Sequence, residues 1–94
     1  MTLERSELTV KEGVEEDFVA LMRGEAGALL LKGAGCLSVR AGRGVENPGK
    51  IILLVEWESI PAHQAYTKTP EYTEFRALIA PFVTGGAMEH FEMA

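Results

Sequence analysis

The run from Ile51 to Trp57 constrains this chain more tightly than any other segment. A β-strand sends successive side chains to opposite faces, and here both alternating sets begin apolar: Ile51, Leu53, Val55 and Trp57 against Ile52 and Leu54. Such a strand is buried on two faces, so something must cover each side. The stretch Cys36 to Ala41 alternates differently, with Leu37, Val39 and Ala41 on one side and Cys36, Ser38 and Arg40 on the other. That is the pattern of a half-buried strand. Between the two, Gly42 to Lys50 contains three glycines, Asn47 and Pro48, residues that supply positive φ or a preset bend. The whole segment, Gly33 to Glu58, reads as a hairpin approached through glycines and ending in the one tryptophan.

The flanking sequence completes a plan. Leu3 to Val10 reads as a first strand, with Leu8 and Val10 on one face, and Gly13 closes it. From Glu15 the period becomes helical through Phe18, Leu21, Met22, Glu25, Ala28 and Leu29, with Glu15, Glu16 and Asp17 where a helix N-terminus favours negative charge. Gly24 and Gly27 each weaken a helix by about 1 kcal/mol relative to alanine, so its later turns are expected to be irregular. Gly33 and Gly35 end it. Ser59 as a cap and Pro61 in the first turn open a short helix from Ile60 to Lys68. Thr69 and Pro70 repeat the signal for a helix with the apolar stripe Tyr72, Phe75, Leu78, Ile79 and Phe82, stopped by Pro81 and the Gly85–Gly86 pair. Ala87 to Met93 alternates as a last strand. The order is that of an α+β, ferredoxin-like βαββαβ domain with an antiparallel four-stranded sheet, occupying residues 1–94 as one domain. Right-handed crossovers place both helices on one face of such a sheet. Ile52 and Leu54 then point to the bare face, which predicts a homodimer through that open sheet face.

Composition removes several classes of function. A chain of 94 residues buries roughly 60–70% of its unfolded surface, enough for one core. No apolar run approaches the roughly 20 residues of a membrane span, and the N-terminus lacks the basic and apolar regions of a secretory signal, so the expected location is the cytoplasm, with no membrane partner. Cys36 is the single cysteine, which excludes an internal disulfide and a cysteine-based cluster. Nine scattered basic residues against fourteen acidic ones, for a net charge of -5, disfavour nucleic acid as a partner. Two isolated histidines give no metal spacing, and no GxGxxG, P-loop or nucleophile elbow is present, so neither a metal nor a cofactor is expected.

The residues in this order resemble the antibiotic biosynthesis monooxygenase family of the dimeric α/β-barrel group. The resemblance covers nearly the whole chain. It rests on Gly35, Cys36, Leu37 and Ser38, on the Asn47, Pro48, Gly49 turn, on Leu54 to Ser59, on Ala62, His63, Gln64, Ala65 and Tyr66, and on Thr69, Pro70, Glu71, Tyr72 and Phe75. It implies a dimeric α/β barrel, made where the sheets of two subunits face each other, with a pocket in each subunit between sheet and helices. Some members oxygenate phenolic or quinol-type substrates without metal or flavin, some degrade haem, and many have no known activity. Fold alone does not choose among these.

Five residues are candidates for the implied pocket, each weighed against simple packing. Trp57 is a core aromatic that could form a flat wall against an aromatic ligand. His63, six residues on, titrates in the range that suits a general base. Tyr66 shares its helix face, three residues later; many relatives carry a histidine there. Tyr72 could donate a hydrogen bond to a ligand oxygen, and Arg40 could stabilise an anionic substrate. His90 has no ligand partner near it in sequence. The haem degraders use an asparagine in the first strand, and here the sole asparagine is Asn47. The leading expectation is a cofactor-independent monooxygenase acting with dioxygen on a small phenolic or quinol-type aromatic. Catalytic roles fall to His63 and Trp57, substrate contacts to Tyr66, Tyr72 and Arg40. The alternative is a non-catalytic dimeric module that holds a small ligand; haem degradation ranks third.

Overall fold

The computed structural model describes every residue from Met1 to Ala94. Its elements are β1 (Thr2–Val10), α1 (Glu15–Arg23), α2 (Glu25–Leu31), β2 (Cys36–Arg43), β3 (Lys50–Trp57), α3 (Ile60–Tyr66), α4 (Pro70–Ile79) and β4 (Val83–Glu92). The four strands form one antiparallel sheet in the order β2-β3-β1-β4. This is the ferredoxin-like α+β plan expected from the strand and helix periods. The hairpin stands where it was placed, its turn closed by Gly44 N–H to Lys50 O at 2.7 Å and Lys50 N–H to Asn47 O at 3.0 Å.

The strand that is apolar on both sides explains the layering. Ile51, Leu53, Val55 and Trp57 are all buried against the helices. They join Val10 of β1, Phe18, Met22, Ala26, Leu29 and Leu30 of α1 and α2, and Tyr66, Phe75 and Ile79 of α3 and α4 in one core. Ile52 and Leu54 point the other way and are half-buried, on a face that also carries Leu3 and Phe91 by strand register. No helix covers that face.

Three boundaries differ from the sequence reading. The first helix breaks at Gly24, whose φ of -108° and ψ of -116° leave the helical region. The break rephases the chain, so Ala26, Leu29 and Leu30 turn inward while Glu25 and Ala28 face solvent. The last strand begins at Val83 rather than Ala87. Gly85 and Gly86 lie inside it, opposite Thr9 and Leu8, because ladder hydrogen bonds to β1 outweigh their weak strand preference. Helix α3 stops at Tyr66, two residues early, and Thr67 caps its end. The start signals are as read: Ser59 Oγ accepts from Ala62 N–H, and Thr69 Oγ1 accepts from Tyr72 N–H. No helix is long and apolar enough to cross a membrane.

Candidate active site

Alternation along β1 puts Thr2, Glu4 and Ser6 on the same face as Val10, toward the helices, and all are buried. A carboxylate there must be hydrogen-bonded to be tolerated. Glu4 is: its Oε1 accepts from Trp57 Nε1–H at 3.0 Å and its Oε2 from the Ser6 hydroxyl at 2.8 Å. His63 comes to the same oxygen, with Nε2 3.3 Å from Glu4 Oε1, an ion-pair contact rather than an aligned hydrogen bond. The short link from β3 into α3 places it: the helix starts three residues after Trp57, so its first turn lies over the indole. The imidazole stacks on the Trp57 ring, centroids 4.8 Å apart and planes 13° from parallel. Its other nitrogen, Nδ1, lies 2.8 Å from His90 Nε2. Strand register brings His90 there, directly opposite Glu4 across the β1–β4 ladder.

Because an ionised carboxylate only accepts, Glu4 favours the His63 tautomer with the proton on Nε2, and Nδ1 then accepts from His90 Nε2–H. Burial, opposed by the Glu4 charge and aided by His90, holds the His63 pKa below its ordinary value. Nearby, burial pushes the Tyr66 hydroxyl up to about 12. Burial, and then the Glu4 charge, raise the Cys36 thiol as well.

Above this cluster lies a cavity of about 480 Å³, within the range of ligand sites. Its wall on the sheet side holds Glu4, Ser6, Leu53 and Met88; the helices supply His63, Tyr72, Phe75, Arg76 and Ile79. The Tyr72 hydroxyl accepts from Arg76 Nη1–H at 3.0 Å, and the guanidinium lies 5.8 Å from the Tyr72 ring centre. Arg76 has no carboxylate within ion-pair distance.

Of the five residues expected at the site, His63 and Tyr72 line this cavity. Trp57 does not: it is fully buried, one layer behind, with its face covered by His63, so it supports the histidine instead of walling a ligand. Tyr66 is also buried and spends its hydroxyl on Leu29 O at 2.7 Å, leaving no donor for a ligand. Arg40 is exposed on edge strand β2, opposite Leu54, at the far side of the sheet from a cavity built on β1 and β4. Glu4, Ser6, Arg76 and the partnership of His90 were not foreseen. Glu4 carried a signal, since it shares the period-two set of Leu8 and Val10, the face expected to be buried.

A ferredoxin-like α+β domain with a carboxylate–imidazole pair at the base of a pocket between sheet and helices defines the class. The chain belongs to the antibiotic biosynthesis monooxygenase family, whose model matches residues 1–78. It is 32% identical to the uncharacterised protein YczJ of Bacillus subtilis over 94 residues, 98% of each chain. Its fold matches a Bordetella bronchiseptica protein ascribed to the antibiotic biosynthesis monooxygenases, at 25% identity and a TM-score of 0.91, covering 99% of this chain and 96% of that one. SnoaB, a cofactor-independent oxygenase from Streptomyces nogalater, matches in fold at a TM-score of 0.84 and 13% identity, over 99% of this chain and 92% of its own.

Proposed function

We propose that this cavity is the reaction site of a cofactor-independent monooxygenase that oxidises a small phenolic or quinol-type aromatic with dioxygen. The observation that carries the reading is the Glu4–His63 pair on the cavity wall, in a chain of a monooxygenase family. The Glu4 carboxylate, or His63 in the tautomer that carries its proton on Nδ1, takes the proton of a substrate hydroxyl. The resulting electron-rich anion reduces dioxygen; the substrate supplies all four electrons and both hydrogens of the water that leaves with one oxygen atom, and is released as a quinone carrying the other. The protein supplies desolvation by Leu53, Phe75 and Ile79, and hydrogen bonding from Tyr72 and Arg76. Trp57 acts through His63, as its stacked support and as a donor to Glu4. SnoaB, with the same fold, is described as working without a cofactor. The chain acts as a homodimer, joined through the sheet face that bears Ile52, Leu54, Leu3 and Phe91, where apolar side chains lie uncovered.

Oxygen uptake with a panel of hydroquinones and anthrones tests the activity. The expected result is uptake above buffer that His63→Ala lowers by about 100-fold or more, the usual contribution of a positioned base. Uptake unchanged in that variant removes His63 from the mechanism. A panel with no uptake at all favours a second reading, a ligand-holding module without turnover. One feature speaks for that second reading: the polar groups of the cavity pair with one another, Glu4 with Trp57 and Ser6, His63 with His90, and Tyr72 with Arg76.

A further inference from the structure

We propose that His90 is the outer member of a proton relay that joins the cavity to solvent through His63, a role that rests on the reading of the cavity as a reaction site. The two rings share a short contact, His63 Nδ1 to His90 Nε2 at 2.8 Å, and meet edge to face with centroids 5.0 Å apart. The inner ring is held on both sides, by the Trp57 indole against its face and by Glu4 at Nε2. His63 lines the cavity, whereas His90 does not. His90 is half-buried on the outermost strand and makes no other side-chain hydrogen bond, so its Nδ1 is left for water. A side-chain amide at position 90 would satisfy His63 Nδ1 equally well. What an imidazole adds is a second nitrogen that can release a proton as the first accepts one.

Both rings rest protonated on Nε2, so the stroke from rest runs inward, and it balances. His63 gives its Nε2 proton to a product oxyanion, His90 passes its Nε2 proton to His63 Nδ1, and His90 Nδ1 takes a proton from solvent. Three bonds to hydrogen break and three form, and the net change is one proton moved from solvent to the cavity. The outward stroke is the reverse: a substrate hydroxyl protonates His63 Nε2, the Nδ1 proton returns to His90 Nε2, and His90 Nδ1 releases a proton to water. That stroke restores the resting tautomers, which Glu4 favours, so the carboxylate draws it outward. The other ionisable groups around the relay are few. Glu4 faces His90 from β1, Glu92 lies two residues along the same face of β4 with its carboxylate accepting from the Thr2 hydroxyl, and Cys36 of β2 feels the Glu4 charge.

Nitrogen-resolved NMR of histidine-labelled protein tests this without substrate or turnover, so its outcome is independent of the oxygen-uptake result. The quantity read is the exchange of the His63 ring proton with water. His90→Gln keeps a donor for His63 Nδ1 and is expected to slow that exchange by about tenfold or more while the melting temperature holds. His90→Ala is expected to slow it too, with free imidazole restoring the rate and a non-aromatic amine buffer at the same pH failing to. Unchanged exchange in the Gln variant overturns the proposal, because protons would then reach His63 through the cavity itself. If the Ala variant does not fold, the Gln variant carries the test alone. Ring nitrogen shifts in the unsubstituted protein that show no hydrogen bond between the two imidazoles overturn it as well.

Discussion

Replacing Glu4 by Gln asks whether a buried charge, and not merely the shape around it, organises the site. Glu4 is 7% exposed and Trp57 fully buried, and their hydrogen bond is 3.0 Å long. A hydrogen bond to a charged acceptor contributes about 1.5–3 kcal/mol, roughly twice a neutral one. Gln keeps a carbonyl for the indole N–H but loses the charge, and its amide must serve the Ser6 hydroxyl as a donor. The expected cost of E4Q is therefore about 1–2 kcal/mol, the difference between the charged and neutral bonds. In a chain of this size each kcal/mol moves the melting point by about 4–8 °C, so the variant should melt roughly 4–16 °C lower. Urea unfolding followed by far-ultraviolet circular dichroism, on the unsubstituted protein, E4Q, W57F and the double variant, isolates the pair from its surroundings. The expected coupling is about 1–2 kcal/mol, because W57F removes the donor and keeps a ring under His63. A coupling below about 0.5 kcal/mol refutes the argument that the carboxylate is held by the indole.

Other expectations follow from the same geometry. Burial holds the folded-state pKa of His63 below its ordinary value, while in the unfolded chain it titrates near 6.5; below that pH the unfolded state binds a proton that the folded state resists. Its contribution is complete above about pH 6.5 and is lost as pH falls toward the depressed folded value. Urea midpoints from pH 8 down to pH 5.5 should thus fall more steeply in the unsubstituted protein than in His63→Gln, and parallel curves would contradict this. A Cβ at Gly33 would sit 2.7 Å from Tyr66 Cδ1 and 3.0 Å from the Trp57 ring, so Gly33→Ala should destabilise by about 1–3 kcal/mol through overpacking, read as a lower melting temperature. Leu54→Arg on the open sheet face should convert the proposed dimer to monomer in sedimentation while leaving the circular dichroism spectrum intact. A stable monomer before substitution would remove the proposed interface.

The parts of the fold legible in the sequence were those set by local periodicity and capping. Period-two alternation located the strands, and Ser59–Pro61 and Thr69–Pro70 located the two later helices, because each signal acts within a few residues. Gly85 and Gly86 misled, since their weak local preference is overridden by pairing with a strand some 75 positions away in sequence. The site was harder to read for the same reason. His63 and Tyr72 stood out by residue type and helix face, but Glu4, Trp57 and His90 meet only through the β1–β3 and β1–β4 registers. Trp57 was correctly placed facing the helices. That His63 would cover it, leaving it no surface for a ligand, depends on the exact landing of α3.

The stack of His63 on Trp57 has a spectroscopic consequence. With one indole in the chain, all tryptophan emission comes from a ring whose face lies 4.8 Å from an imidazole. A protonated imidazole takes an electron from excited indole far more readily than a neutral one, so brightness tracks the charge on His63. The protein carries its own optical gauge of the proton at the cavity wall, readable without a label and without knowing the ligand.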